Sequence, residues 1–125
     1  MPDESEIFAI LGEAGFAALV AGFYRRVKAD DLLGPLYPPN DFENAERRLR
    51  DFLIQRFGGP GRYSQERGHP RLRMRHAPFA IDLAARNRWM ELMEQAMAEA
   101  DLPSIVAGVF RKYFSDTATH MINRE

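Results

Sequence analysis

Arg73-Met74-Arg75-His76-Ala77-Pro78-Phe79 sets one histidine in an apolar setting, with arginines before it and a proline behind it. A neutral imidazole is a good metal ligand, and guanidinium groups pair readily with carboxylates. The segment therefore suits a site that holds iron in haem, with the imidazole as axial ligand and arginines beside the two propionates. The alternative is a structural histidine on a basic loop. The segment by itself leaves both readings open.

The surrounding composition narrows the field. A chain of 125 residues is one domain, residues 1–125, and is long enough to bury a sizeable single core. With 46% hydrophobic and 28% charged residues and a net charge of −1, it reads as an ordinary folded domain. The longest uninterrupted apolar stretch, residues 16–24, is too short for a membrane span, and the acidic start lacks the basic region of a signal peptide. No membrane partner and a cytoplasmic address are expected. The absence of cysteine excludes disulfides, iron–sulfur clusters, thiol nucleophiles and thioether-linked haem. The three histidines, His69, His76 and His120, do not stand at a helical zinc-ligand spacing. Nucleotide-binding and serine-hydrolase motifs are missing, and Gly58-Gly59-Pro60-Gly61 carries a proline where a phosphate cradle would offer an N–H.

Apolar residues recur at helical spacing along most of the chain. A short amphipathic piece with Ile7, Phe8 and Leu11 ends near Gly12, and a helix over roughly residues 14–29 follows. Gly34, Pro35, Pro38 and Pro39 make a corner. A second stripe runs from Phe42 to Leu53, with Asn40 or Asp41 available as N-cap. Residues 58–71 read as a long loop. A short helical turn begins at Leu72 and ends at Pro78, Asp82 opens a long helix carrying Ala85, Trp89 and Met93, and a last helix follows Pro103. No strand ladder is visible, so the expected fold is all-α, with two antiparallel helix pairs the simplest packing.

Three polar donors fall on inward faces of different elements: Tyr24, Tyr37 in the corner, and the only tryptophan, Trp89. A buried indole N–H or phenol needs a partner, and three of them make a pocket reasonable beside the plainer reading of satisfied core groups. Five arginines between residues 62 and 75, against one acid, also raise a nucleic-acid reading. One interleaved tyrosine is thin support for base stacking, and no nucleic-acid partner is expected.

The chain resembles the truncated haemoglobins, and within them group II. The most specific residues are Ala45-Glu46-Arg47-Arg48-Leu49-Arg50-Asp51-Phe52-Leu53, Gly58-Gly59-Pro60, Tyr63-Ser64 and the run from Gly68 to Phe79. The resemblance implies a shortened globin fold, a two-over-two helical sandwich around non-covalently held haem b. It makes His76 the proximal iron ligand and Tyr24, Tyr37 and Trp89 the distal donors. Ala45 takes the place where larger globins often carry a distal histidine. Leu49, Phe52 and Phe23 become the distal apolar wall, and Arg48, Tyr63 and Arg75 the propionate partners, with Leu72 and Phe79 also against the cofactor. The usual paired glycines between the first helices appear as Gly12-Glu13-Ala14-Gly15, and Pro39 is an addition to the corner.

Oxygen and other diatomics, nitric oxide and carbon monoxide among them, are then the expected ligands, with slow release. A peroxidase-like or nitric-oxide-consuming enzyme is the second reading, and a helical interaction module without haem the third. An electron donor that the sequence does not identify is implied, and a homodimer is compatible with the sequence.

Overall fold

The structure is a computed structural model that describes residues 4–76 and 81–124. Among them there are helices and no strands: α1 Ile7–Ala29, α2 Phe42–Arg56, α3 Arg62–Arg67, α4 Leu72–His76, α5 Leu83–Glu99 and α6 Ser104–His120. A 3₁₀ turn, Glu4–Glu6, precedes α1, and another, Gly34–Leu36, forms the expected corner.

The apolar stripes read from the sequence are the core. Phe16, Leu19, Val20, Phe23 and Val27 of α1 are wholly buried, as are Leu53 and Ile54 of α2, Met93 of α5 and Val106 and Phe110 of α6. Three rings mark the centre: Phe16 lies 5.8 Å from Phe110, and Phe57 lies 4.9 Å from Phe110. Helix α1 packs on α2 and α5, and α5 packs on α6. By length and composition the helical stretch Glu4–Ala29 is apolar enough to cross a bilayer, with a mean hydropathy of 1.8 over its best window. A buried core helix meets the same length and composition, and the inward face of α1 is core. Gly12 breaks the helix where the short first piece is expected to end, at φ 74°, a conformation that suits glycine.

Two local expectations are corrected. Residues 58–71 are not a continuous loop, because residues 62–67 form α3. No apolar stripe marks so short a helix; a neighbour holds it instead. Gln55 of α2 accepts from the Ser64 backbone N–H at 2.9 Å and donates to Ser64 Oγ at 2.7 Å, satisfying a first-turn amide that α3 cannot satisfy itself. Asp41 does stand at the N-cap position of α2, but its carboxylate caps no backbone N–H. It accepts from Arg48 at 2.8 Å and from Asn44 at 3.1 Å. At α5 the expected cap is made: Asp82 accepts from the Ala85 N–H at 2.8 Å.

After α2 the chain turns back beneath the first residues. Gly58 sits at φ 100°, and a Cβ there would lie 1.8 Å from the Ser5 carbonyl oxygen. Gly58→Ala is therefore expected to cost about 2 kcal/mol or more, from backbone strain plus a clash with main chain. Urea unfolding checks it: the midpoint should fall with an unchanged slope, and a midpoint equal to wild type would contradict the close approach.

Candidate functional site

Beside the aromatic core lies a partly enclosed cavity of about 280 Å³, walled by the corner and by residues of α1 through α6. Most of its surface is apolar: Leu33 and Leu36 from the corner, Leu49 and Phe52 from α2, Leu72 from α4, and Phe114 and Met121 from the last helical segment. Among its charged walls are three guanidinium groups, Arg48, Arg75 and Arg86, and one carboxylate, Asp41. An apolar cleft with a cationic margin suits a flat apolar ligand carrying carboxylates.

His76 lines this cavity at the end of α4. Its Nδ1 lies 2.7 Å from the Leu72 carbonyl oxygen, one helical turn back. A carbonyl can only accept, so Nδ1 carries the proton and the lone pair of the neutral ring is on Nε2. The same bond fixes the ring plane. A histidine whose other nitrogen donates to a backbone carbonyl is the arrangement that holds imidazole metal ligands in place.

Tyr24, Tyr37 and Trp89 reach the cavity from α1, the corner and α5 respectively. The two tyrosine rings meet edge to face at 5.7 Å, and Trp89 packs 5.0 Å from Phe23 and 5.4 Å from Phe114. Burial pushes the Tyr24 phenol well above its ordinary range, and interaction with Tyr37 pushes the same way. Burial also raises Tyr37, while the Tyr24 hydroxyl and Arg48 draw it back down. Among the described residues, no side-chain hydrogen bond uses the Trp89 indole N–H.

Most of the residues expected at the site are gathered here. Ala45, Arg48, Leu49, Phe52, Tyr63, Leu72 and Arg75 line the same cavity as His76 and the three donors. Phe23 is a correction: it is fully buried behind the wall, 5.1 Å from the Tyr24 ring, and supports the donors without facing the cavity. Its place one residue before Tyr24 turns it toward α5. Phe79, with Ala77 and Pro78, lies outside the described residues.

Arg75 and Arg48 are already engaged. Arg75 donates through Nε to the Pro70 carbonyl at 2.8 Å and through Nη2 to the carbonyls of Arg67 at 2.7 Å and His69 at 3.3 Å. The Arg48 bond to Asp41 holds that carboxyl below its usual range. The basic run is engaged elsewhere too, since Arg62 pairs with Glu13.

Sequence reasoning missed the contribution of α6, whose Phe114, Thr117 and Ala118 face the cavity, and that of Arg86. Arg86 binds Ser115 Oγ at 2.7 Å and Thr119 Oγ1 at 3.1 Å, tying α5 to α6. Its place one turn before Trp89 was the available signal.

An all-helical domain whose central cleft joins one oriented imidazole to a set of phenol and indole donors has the architecture of a globin. The bacterial-like globin family model matches residues 6–123, and the chain belongs to that family. It is 36% identical over 117 residues to the group 2 truncated hemoglobin YjbI of Bacillus subtilis, covering 94% of this chain and 88% of that protein. The hemoglobin of Chloroflexus aurantiacus superposes with a TM-score of 0.91 at 47% identity, over 94% of this chain and 98% of the other. A truncated oxygen-avid haemoglobin from Bacillus subtilis does so at 0.88 with 36% identity, over 93% and 98%. The group II truncated haemoglobin resemblance thus holds, and with it a haem-binding globin function.

The tyrosines give this site a pH signature. Tyr24 and Tyr37 titrate above their ordinary value of 10 in the folded chain, so the unfolded chain loses these protons first. Their contribution is complete below about pH 10 and is lost as pH rises through the folded values. Urea unfolding between roughly pH 9 and 11 should show stability falling, with a shallower fall in Tyr24→Phe. An identical slope in the variant would contradict the burial of this phenol.

Proposed function

We propose that this chain binds haem b without covalent attachment, takes the iron on His76 Nε2, and retains a diatomic ligand through Tyr37 and Trp89. The observation that carries the reading is the His76–Leu72 bond of 2.7 Å, which puts the imidazole lone pair on Nε2 of a residue that lines the same cavity as the donors. The chain has no cysteine, so thioether attachment is closed to it. Haem so held supplies a ferrous centre that can take a diatomic ligand.

The remaining chemistry belongs to the protein. Arg48 and Arg75 stand at the cavity wall as carboxylate partners, and the Arg75 bonds to Arg67, His69 and Pro70 use only Nε and Nη2. Tyr24 meets the Tyr37 ring edge to face at 5.7 Å and braces it at the cavity wall. The Tyr37 hydroxyl and the Trp89 N–H, both on residues that line the cavity, serve as the donors to the ligand. Ala45 contributes only a methyl group, so no hydrogen bond comes from that position. Support for firm retention comes from the likeness to the oxygen-avid Bacillus subtilis haemoglobin.

Each donor to a partly charged ligand atom contributes about 1–3 kcal/mol, which corresponds to roughly one to two decades in escape rate. Stopped-flow displacement of oxygen by carbon monoxide should show release about tenfold faster in Trp89→Phe and in Tyr37→Phe. Release at the wild-type rate in both variants would remove these residues from ligand retention.

A further inference from the structure

One residue before Trp89 on α5, Arg88 reaches across to the segment that carries Tyr37. Its Nη1 donates to Asp30 Oδ1 at 2.6 Å. Asp30 directly follows α1, and its Oδ2 accepts from the backbone N–H groups of Leu32 at 3.0 Å and Leu33 at 2.8 Å. The Asp30 side chain is only 9% exposed, whereas Arg88 is 34% exposed and also meets Asp31 at 3.1 Å and Glu91 at 3.6 Å. The inner bond to Asp30 is thus the shielded one of the three.

Main-chain bonds transmit the position of Asp30 to Tyr37. The Gly34 N–H donates to the Asp30 carbonyl at 3.1 Å, and the Tyr37 N–H donates to the Gly34 carbonyl at 3.2 Å. Two main-chain hydrogen bonds therefore connect the residue whose carboxylate Arg88 holds to the backbone of Tyr37. Along the way Leu33 and Leu36 line the same cavity. The other end of the link is rigid as well, since Arg88 shares a turn of α5 with Trp89.

We propose that Arg88, acting through Asp30, is a positioning residue that sets the separation of the Tyr37 and Trp89 donors. The proposal rests on the haem reading above. Ring contacts alone leave this separation loose: Tyr37 touches Tyr24 at 5.7 Å and Phe42 at 5.5 Å, and such apolar contacts tolerate small slides. Hydrogen bonds do not, because they weaken steeply with distance and angle. Loss of the clamp therefore affects donation more than folding.

The test compares wild-type haem protein with Arg88→Met, Asp30→Asn, their double variant and Arg88→Lys, using the infrared C–O stretch of the ferrous carbon monoxide complex. Donors aimed at the ligand oxygen lower this frequency and sharpen the band. Arg88→Met and Asp30→Asn should each raise and broaden it and speed oxygen release by roughly threefold to tenfold, with the double variant no worse than either single one. Arg88→Lys should restore most of the wild-type band. A wild-type band and release rate in Arg88→Met, even with a lowered Tm, would overturn the positioning role and leave a purely structural ion pair. A wild-type chain that takes up no haem would instead defeat the haem reading before any variant is compared.

Discussion

The 2.7 Å hydrogen bond from His76 Nδ1 to the Leu72 carbonyl governs what the cavity can do. It selects the tautomer, orients the ring and leaves the basic nitrogen on the far side. The bond exists only because His76 and Leu72 are one helical turn apart, and α4 is just five residues long. A helix of that length has no stability of its own in water. Its support comes from neighbours: the Arg75 guanidinium gathers the carbonyls of Arg67, His69 and Pro70, and Asn123 from beyond α6 donates to the His76 carbonyl at 3.3 Å. Arg75 thus shapes the loop that presents the ligand as well as the charge at the cavity wall.

The donor side is built differently. Tyr24 and Trp89 stand on long helices whose apolar faces form the core, and Phe23 fills the space between them. Only Tyr37 comes from irregular chain, and it is the donor whose placement depends on directional bonds rooted at Asp30. Placing chemical groups on rigid elements, and bracing the exceptions, keeps hydrogen-bond geometry within the narrow limits that ligand retention needs.

How far the sequence reveals this molecule depends on the range of the interaction involved. Stripes of apolar residues disclosed α1, α2, α5 and α6, because burial of one face is a local pattern with a fixed period. Helix α3 stayed hidden because Gln55, nine residues before Ser64, supplies the bonds that hold it. The inward face of α6 is legible, but periodicity cannot distinguish a side chain meeting other protein from one facing a cavity, so it does not disclose that Phe114 and Ala118 line one. The same limit explains Phe23. Asp41 shows competition: a good N-cap residue can be claimed by an arginine seven residues on. The conspicuous His76, Tyr37 and Trp89 were legible because their residue types are rare in the chain and their chemistry is specific.

The proposed haem site depends on a nitrogen ligand supplied by one side chain. Titration of the haem-free protein with haem, followed by visible absorption for wild type and His76→Ala, tests it most directly. A sharp end point at one haem per chain is predicted, with a nitrogen-ligated iron spectrum in wild type that His76→Ala loses. The absence of an end point in wild type, or the same spectrum in both proteins, would contradict it.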